Sequence, residues 1–217
     1  MRAVTITLSR GHNTMKLINS IGPNPQVVRT FAAEKGITLQ TETIDIMKGE
    51  NRQEPYLKKN PAGGSPCLEL DNGAYISEIT AICEYLEDKF PAKPLIGSTP
   101  EEKAETRMWT RRIDLNICEP LANGFRYSEG LPMFKTRMTT LPDAAEGLKR
   151  LAQEKITWLD GLIAGREFIC GKRLTLADIL LFAFLSFGTQ VGQPLNDKNK
   201  NIKAWYDRMA ARPSVKA

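Results

Sequence analysis

Up to about residue 90, short apolar runs alternate with amphipathic stretches, and turn signals separate them. Lys16-Leu17-Ile18 reads as a strand. Asn24-Pro25 then opens a helix whose Val27, Val28, Phe31 and Ala32 share one face, and Gly36 closes it. Asparagine at the N-cap, proline at N1 and glycine past the last turn agree on those bounds. Residues 37–46 alternate as a strand. The turn Asn60-Pro61-Ala62-Gly63-Gly64-Ser65-Pro66 precedes a strand over 67–70, and Asp71-Asn72-Gly73 turns a hairpin. Ile79, Ile82, Cys83, Leu86 and Phe90 mark a second amphipathic helix. The order βαβ, then ββα, predicts a small α/β domain with a mixed sheet over residues 15–91.

The proline-punctuated stretch 92–98 reads as a linker, and everything after it reads as helix. Thr99-Pro100-Glu101-Glu102 is a capping box with proline at N1. Trp109, Ile113 and Ile117 form an apolar face, and a further long helix carries Leu148, Leu151, Leu159 and Leu162. In Leu174-Thr175-Leu176-Ala177-Asp178-Ile179, Thr175 can cap while Asp178 reaches back and Leu174 staples onto Ile179. The run Leu180–Leu185 that follows is apolar all round, which puts this helix at the centre of a bundle. A last helix carries Ile202, Trp205, Tyr206 and Met209 and stops near Pro213. The fold class is therefore α/β plus all-α: a tail at 1–14, an α/β domain, a linker, and an all-helical domain at 99–217.

Composition narrows the chemistry. Of the +5 net charge, Arg2 and Arg10 of an acid-free tail supply two, and the remainder is evenly mixed with acids. No nucleic-acid partner is expected. No apolar run reaches membrane-spanning length, and the tail lacks the apolar centre of a signal peptide. The single histidine, His12, lies in that tail, so neither a histidine-based triad nor a multi-histidine metal site is expected in the body of the chain. Cys67, Cys83, Cys118 and Cys170 are widely spaced among apolar neighbours, which reads as buried free thiols in a reducing cytosol. The reactive group is expected to belong to a bound molecule.

The element order, the turn ending in Ser65-Pro66, the helix opened by Ser77-Glu78-Ile79-Thr80-Ala81-Ile82 and the Leu174–Asp178 segment together resemble the cytosolic glutathione S-transferases. The resemblance covers residues 15–217. It implies a thioredoxin-like N-terminal domain followed by a helical bundle. Within that family, Gly22-Pro23-Asn24-Pro25 is similar to the nu-class and fungal prion-like branches, with Asn24 where beta-class members have cysteine. The theta-class serine position falls at Gly22.

Glutathione has a zwitterionic γ-glutamyl end, a thiol and a glycine carboxylate. Its site needs an anion pocket, a counter-charge for the ammonium and backbone partners for the amides. The resemblance implies a cis Pro66, which presents the backbone of Ser65 to the cysteinyl unit like an added strand. It places Glu78 in the first turn of a helix, beside bare N–H groups. The Glu78 side chain would meet the ligand ammonium, and the N–H groups of Ile79 and Thr80 would hold the γ-glutamyl carboxylate. Many relatives follow this glutamate with serine. Ile79 has no hydroxyl, so Thr80 or backbone must serve. Asn51 and Arg52 fall where relatives put a polar group near the glycine carboxylate. Arg52 has the fork geometry for it, and reads equally well as a solvated arginine.

For the thiol, the loop offers Asn19, Ser20, Asn24 and backbone N–H groups. As a cap, Asn24 would accept through its oxygen and leave its NH2 free to point at sulfur. Trp109, Arg112, Phe125 and Tyr127 are candidates for a second-substrate site between the domains. The implied activity is a transferase that activates bound glutathione, a co-substrate, for attack on a small electrophile, with no metal. A glutathione-dependent disulfide reductase or peroxidase and a non-catalytic binding module are the alternatives. The resemblance also implies a homodimer, with no nucleic-acid or membrane partner.

Overall fold

Strand β1 (Lys16–Asn19) carries Leu17 and Ile18 at its centre, both essentially unexposed, because both faces of the sheet it enters are covered. The computed structural model describes residues 15–216; the tail with Arg2, Arg10 and His12 lies outside the described residues. Helix α1 (Pro23–Lys35) follows and packs Val27, Val28 and Phe31 into the core. Strand β2 (Gln40–Thr43) pairs parallel to β1. After the short helix α2 (Glu54–Leu57), strand β3 (Cys67–Glu69) pairs antiparallel with β1 and with β4 (Tyr75–Ser77). The sheet order is β2-β1-β3-β4, and α3 (Ile79–Lys89) closes the unit. This is a thioredoxin-like arrangement.

Two sequence expectations change here. The strand foreseen over 37–46 shrinks to four ladder residues on a largely exposed edge, because Ile37 and Leu39 pack on the main core and Ile44 on a small cluster with Ile18, Tyr56 and Cys67. Asn24 is not the N-cap of α1. Gly22 is, at φ 111°, a conformation that suits glycine, and Pro23 takes N1. Both prolines of the Gly-Pro-Asn-Pro run fit in the first turn, where no N–H is needed, so the helix starts two residues early.

The helical domain begins with α4 (Pro100–Ile113), capped by Thr99, whose hydroxyl oxygen accepts from Glu102 N–H at 3.2 Å. The helix continues through one turn of π-helix at Asp114–Cys118 into α5 (Glu119–Arg126). Pro120 explains the widening. It lacks an N–H, and its ring would strike the carbonyl four residues back. A short α6 (Leu131–Phe134) leads by an irregular segment to α7 (Ala145–Leu162). On α7 the buried stripe is Ala145, Ala152, Ile156 and Leu159, while Leu151 and Leu162 face solvent. The expected leucine face is thus rotated: α5 approaches so closely that a Cβ on Gly124 would lie 2.7 Å from Lys149 Cγ, and small residues take the contact.

Helix α8 (Leu176–Gln190) is buried through Leu185, as its all-round apolar run predicts. Its capping box is formed, and the Asp178 carboxylate also accepts from Ile169 N–H at 2.8 Å and from the indole of the fully buried Trp205 at 2.9 Å. Trp205 lies on α9 (Lys200–Ala210), so Asp178 ties three segments together. No described helix is long and apolar enough to cross a membrane. All four cysteines are buried and free, and burial pushes every one of their thiols up, which disfavours the thiolate.

A buried ion pair anchors the linker. Lys35 Nζ donates to Glu87 (2.6 Å) and to the carbonyls of Ala92 and Lys93, both at 3.1 Å. Glu87 in turn accepts from Leu95 and Ile96 N–H at 2.8 and 2.7 Å. The two domains are also joined where the Arg212 guanidinium grips Glu34, at 2.6 and 2.8 Å.

Candidate functional site

A cavity of about 150 Å³ opens between the domains. Its thioredoxin-like wall is made of Asn24, Asn60, Gly64, Ser65, Pro66, Glu78, Ile79 and Thr80, and its helical wall of Asp114, Glu119 and Phe184. Three chain reversals meet here: the start of α1, the turn into β3 and the start of α3. The Ser65-Pro66 peptide bond is cis.

Glu78 is the N-cap of α3 rather than a residue of its first turn. It stands at φ 71°, in the left-handed region that non-glycine residues avoid at a cost of about 1–3 kcal/mol. Its side chain makes no cap hydrogen bond, so the N-terminal N–H groups of α3 are not consumed by it. Asn24 is now the second residue of α1 and not its cap.

The turn is held from behind. Asn60 Nδ2 donates to Gly64 O at 2.8 Å, and the Tyr56 hydroxyl donates to the same carbonyl. Burial pushes the Tyr56 hydroxyl up, so it stays a donor. Asn51 is buried and donates to Gly63 O at 2.6 Å, while Arg52 lies against Gly63, where any Cβ would come within 2.9 Å of its Nη1. Asn51 and Arg52 therefore buttress the turn and do not line the cavity. Ser20 is also behind the wall, 3% exposed, its hydroxyl bonded to that of Ser65 at 2.7 Å. Gly22 supplies the bend into α1.

Trp109, Arg112, Phe125 and Tyr127 do not line this cavity. Trp109 is buried against Trp158, with Arg112 stacked on its ring, and Phe125 sits edge-on to Phe134 and Phe187. Asp114 and Glu119, at either end of the π turn, form the helical wall instead. The sequence signal for them was Pro120, whose place inside a helix announces a widened turn that re-aims its neighbours. Nothing in the apolar run of α8 marks Phe184. The Asp114 carboxyl is pushed up by burial first, then by Glu119, with Glu78 adding to the effect and Arg111 opposing it. The cavity thus holds three carboxylates, two amides and a bare helix end, a donor and acceptor set suited to a zwitterion. Among the described residues no cluster of histidine, cysteine and carboxylate could hold a metal.

Family models match this architecture in two pieces: "Glutathione S-transferase, N-terminal domain" over residues 21–89 and "Glutathione S-transferase, C-terminal domain" over residues 131–213. Glutathione S-transferase 2 of Saccharomyces cerevisiae is 33% identical, over 90% of this chain and 84% of its own. The chain belongs to the glutathione S-transferase family. A glutathione S-transferase domain-containing protein of Marinobacter aquaeolei superposes with a TM-score of 0.87 at 35% identity, covering 92% of this chain and 99% of its own. Gtt2 of S. cerevisiae gives 0.86 at 32%, covering 93% and 98%. These relatives favour glutathione transfer over the reductase and non-catalytic alternatives, and glutathione is the transferase's co-substrate.

Proposed function

We propose that the interdomain cavity binds glutathione and ionises its thiol for attack on a small electrophile. The observation that carries this is the meeting, in one cavity, of Ser65, the bare end of α3 and Asn24. The γ-glutamyl carboxylate sits on the N–H groups of Ile79 and Thr80, where the helix dipole favours an anion. Glu78 meets the ammonium, with Asp114 across the cavity adding negative charge. The backbone of Ser65 pairs with the cysteinyl unit. The sulfur then lies by the start of α1, and the Asn24 amide donates to it. The thiol proton leaves to water, the thiolate forms a bond to the electrophilic carbon, and the leaving group departs with the electron pair of the broken bond. Ser20 acts through Ser65, orienting its hydroxyl.

In this reading residues 15–91 are the glutathione-binding domain, 92–98 the linker and 99–217 the helical domain. The assembly is a homodimer, as is typical of the family. The four free thiols support a cytosolic location, where scavenging electrophiles would serve detoxification.

The test is difference absorbance of the thiolate as glutathione is titrated into wild type and Glu78→Ala across pH. A saturable signal is expected, with affinity about 10- to 100-fold weaker in the variant, the value of one charge-assisted contact. Absence of saturation in wild type overturns the reading. Unchanged affinity in the variant moves the γ-glutamyl end elsewhere.

A further inference from the structure

Between α6 and α7, Arg137 reaches across to the thioredoxin-like domain. Its Nη1 donates to Ile46 O at 2.7 Å and its Nη2 to Met47 O at 3.1 Å, contacts spanning 91 and 90 residues of chain. The loop it grips is tightly self-bonded. The Asp45 carboxylate accepts from Met47 and Lys48 N–H at 2.9 and 3.1 Å, and Glu50 accepts from Asp45 N–H at 2.7 Å. Gly49 is left-handed, and Arg52 N–H returns to Gly49 O at 2.9 Å. These bonds tie residues 45–52 to one another.

That segment ends at Asn51 and Arg52, the two side chains that brace Gly63. Gly63 leads into Gly64 and Ser65, which line the cavity. One continuous path therefore joins Arg137 to the wall proposed to pair with glutathione, through backbone and two buttressing side chains. The other interdomain ties described above lie elsewhere, on α1 and the C-terminal end through Glu34 and Arg212. Asn51 Oδ1 is buried without a hydrogen-bond partner, so the Nδ2 bond to Gly63 O is the side chain's one polar link, and it points to this turn.

We propose that Arg137 is a positioning residue of the glutathione site: from the helical domain it sets the 45–52 loop, and through Asn51 and Arg52 the turn that carries Ser65. The inference rests on the glutathione reading above. Arg137 touches no substrate in it. Its two-pronged grip on adjacent carbonyls suits a planar guanidinium, and its loss frees the loop without opening the core.

The experiment compares full-length wild type with Arg137→Ala. Steady-state kinetics with a chlorodinitrobenzene-type acceptor should show KM for glutathione raised about 3- to 30-fold, the range of coupling along such a path. At saturating glutathione kcat should stay within about twofold, because the reacting groups are untouched. Amide exchange in the ligand-free proteins should quicken at 45–52 and at 63–65 but not in α3. An unchanged KM, or exchange that quickens at 45–52 and not at 63–65, overturns the proposal. The exchange result needs no glutathione, so it separates this failure from that of the binding reading, which falls if wild type shows no saturation.

Discussion

Replacing Asn24 by alanine separates two roles that its place in the sequence confounds. As a cap, its loss would cost about 1 kcal/mol of stability. In the structure it is the second residue of α1, behind Gly22 and Pro23, and the cap position belongs to Gly22. Alanine is the better helix former by up to about 0.7 kcal/mol, so Asn24→Ala should melt at or slightly above the wild-type temperature. The thiol should respond differently. An ordinary thiol has a pKa of about 8.5, and a hydrogen bond to a charged group contributes about 1.5–3 kcal/mol. At about 1.36 kcal/mol per pKa unit, losing the amide donor should raise the bound thiol by about one to two units. With the thiol back at its ordinary value, the thiolate fraction at pH 7, and kcat/KM with it, falls about 8- to 25-fold.

Asn24→Asp sharpens the contrast. A carboxylate in the first turn of a helix is favourable by about 0.3–1 kcal/mol. Yet a negative charge about 4 Å from a thiolate opposes it by about 4 kcal/mol at an effective dielectric of 20. This variant should therefore be the more stable and the less active. The assays are thermal melting and thiolate absorbance of the glutathione complex across pH. A destabilised Asn24→Ala whose bound thiol titrates as in wild type would refute the reasoning and leave activation to backbone N–H groups.

Asp178→Ala should cost about 4 kcal/mol in denaturant unfolding, well above a surface cap, because it strands the buried donors of Ile169, Thr175 and Trp205; a loss near 1 kcal/mol would mean water replaces the carboxylate. Lys35→Met should cost about 3–5 kcal/mol by leaving Glu87 buried without its cation; the same unfolding assay checks it. At Glu34, burial works to raise the carboxyl, but the bonds from Arg212 and Ser214 outweigh it and hold the pKa below its ordinary 4.5. The stability that Arg212 adds over Arg212→Ala should therefore be full above about pH 5 and fade as pH falls from the ordinary carboxylate value through the depressed one. A difference that stays level to pH 3 would exclude this linkage.

Local chemistry was enough for much of this protein. The apolar face of α1, the all-round apolar α8, the Thr175–Asp178 box and the Ser65-Pro66 turn are each written in a few neighbouring residues, and they placed the cavity's thioredoxin-like wall. Where two local signals competed, packing chose. Either proline of Gly-Pro-Asn-Pro could open α1, and the bend available to Gly22 decided for the earlier one. Leu151 and Leu162 keep the helical period of α7, but the close approach of α5 at Gly124 turned them to solvent. The helical wall of the cavity was the least legible. Asp114 and Glu119 carry no local mark of a site; the π turn before Pro120 sets them on the cavity wall, and Phe184 is one apolar residue among many. Periodicity says which face of a helix is buried. What that face meets depends on how far the helices advance toward each other, and that is set by contacts between residues distant in the chain.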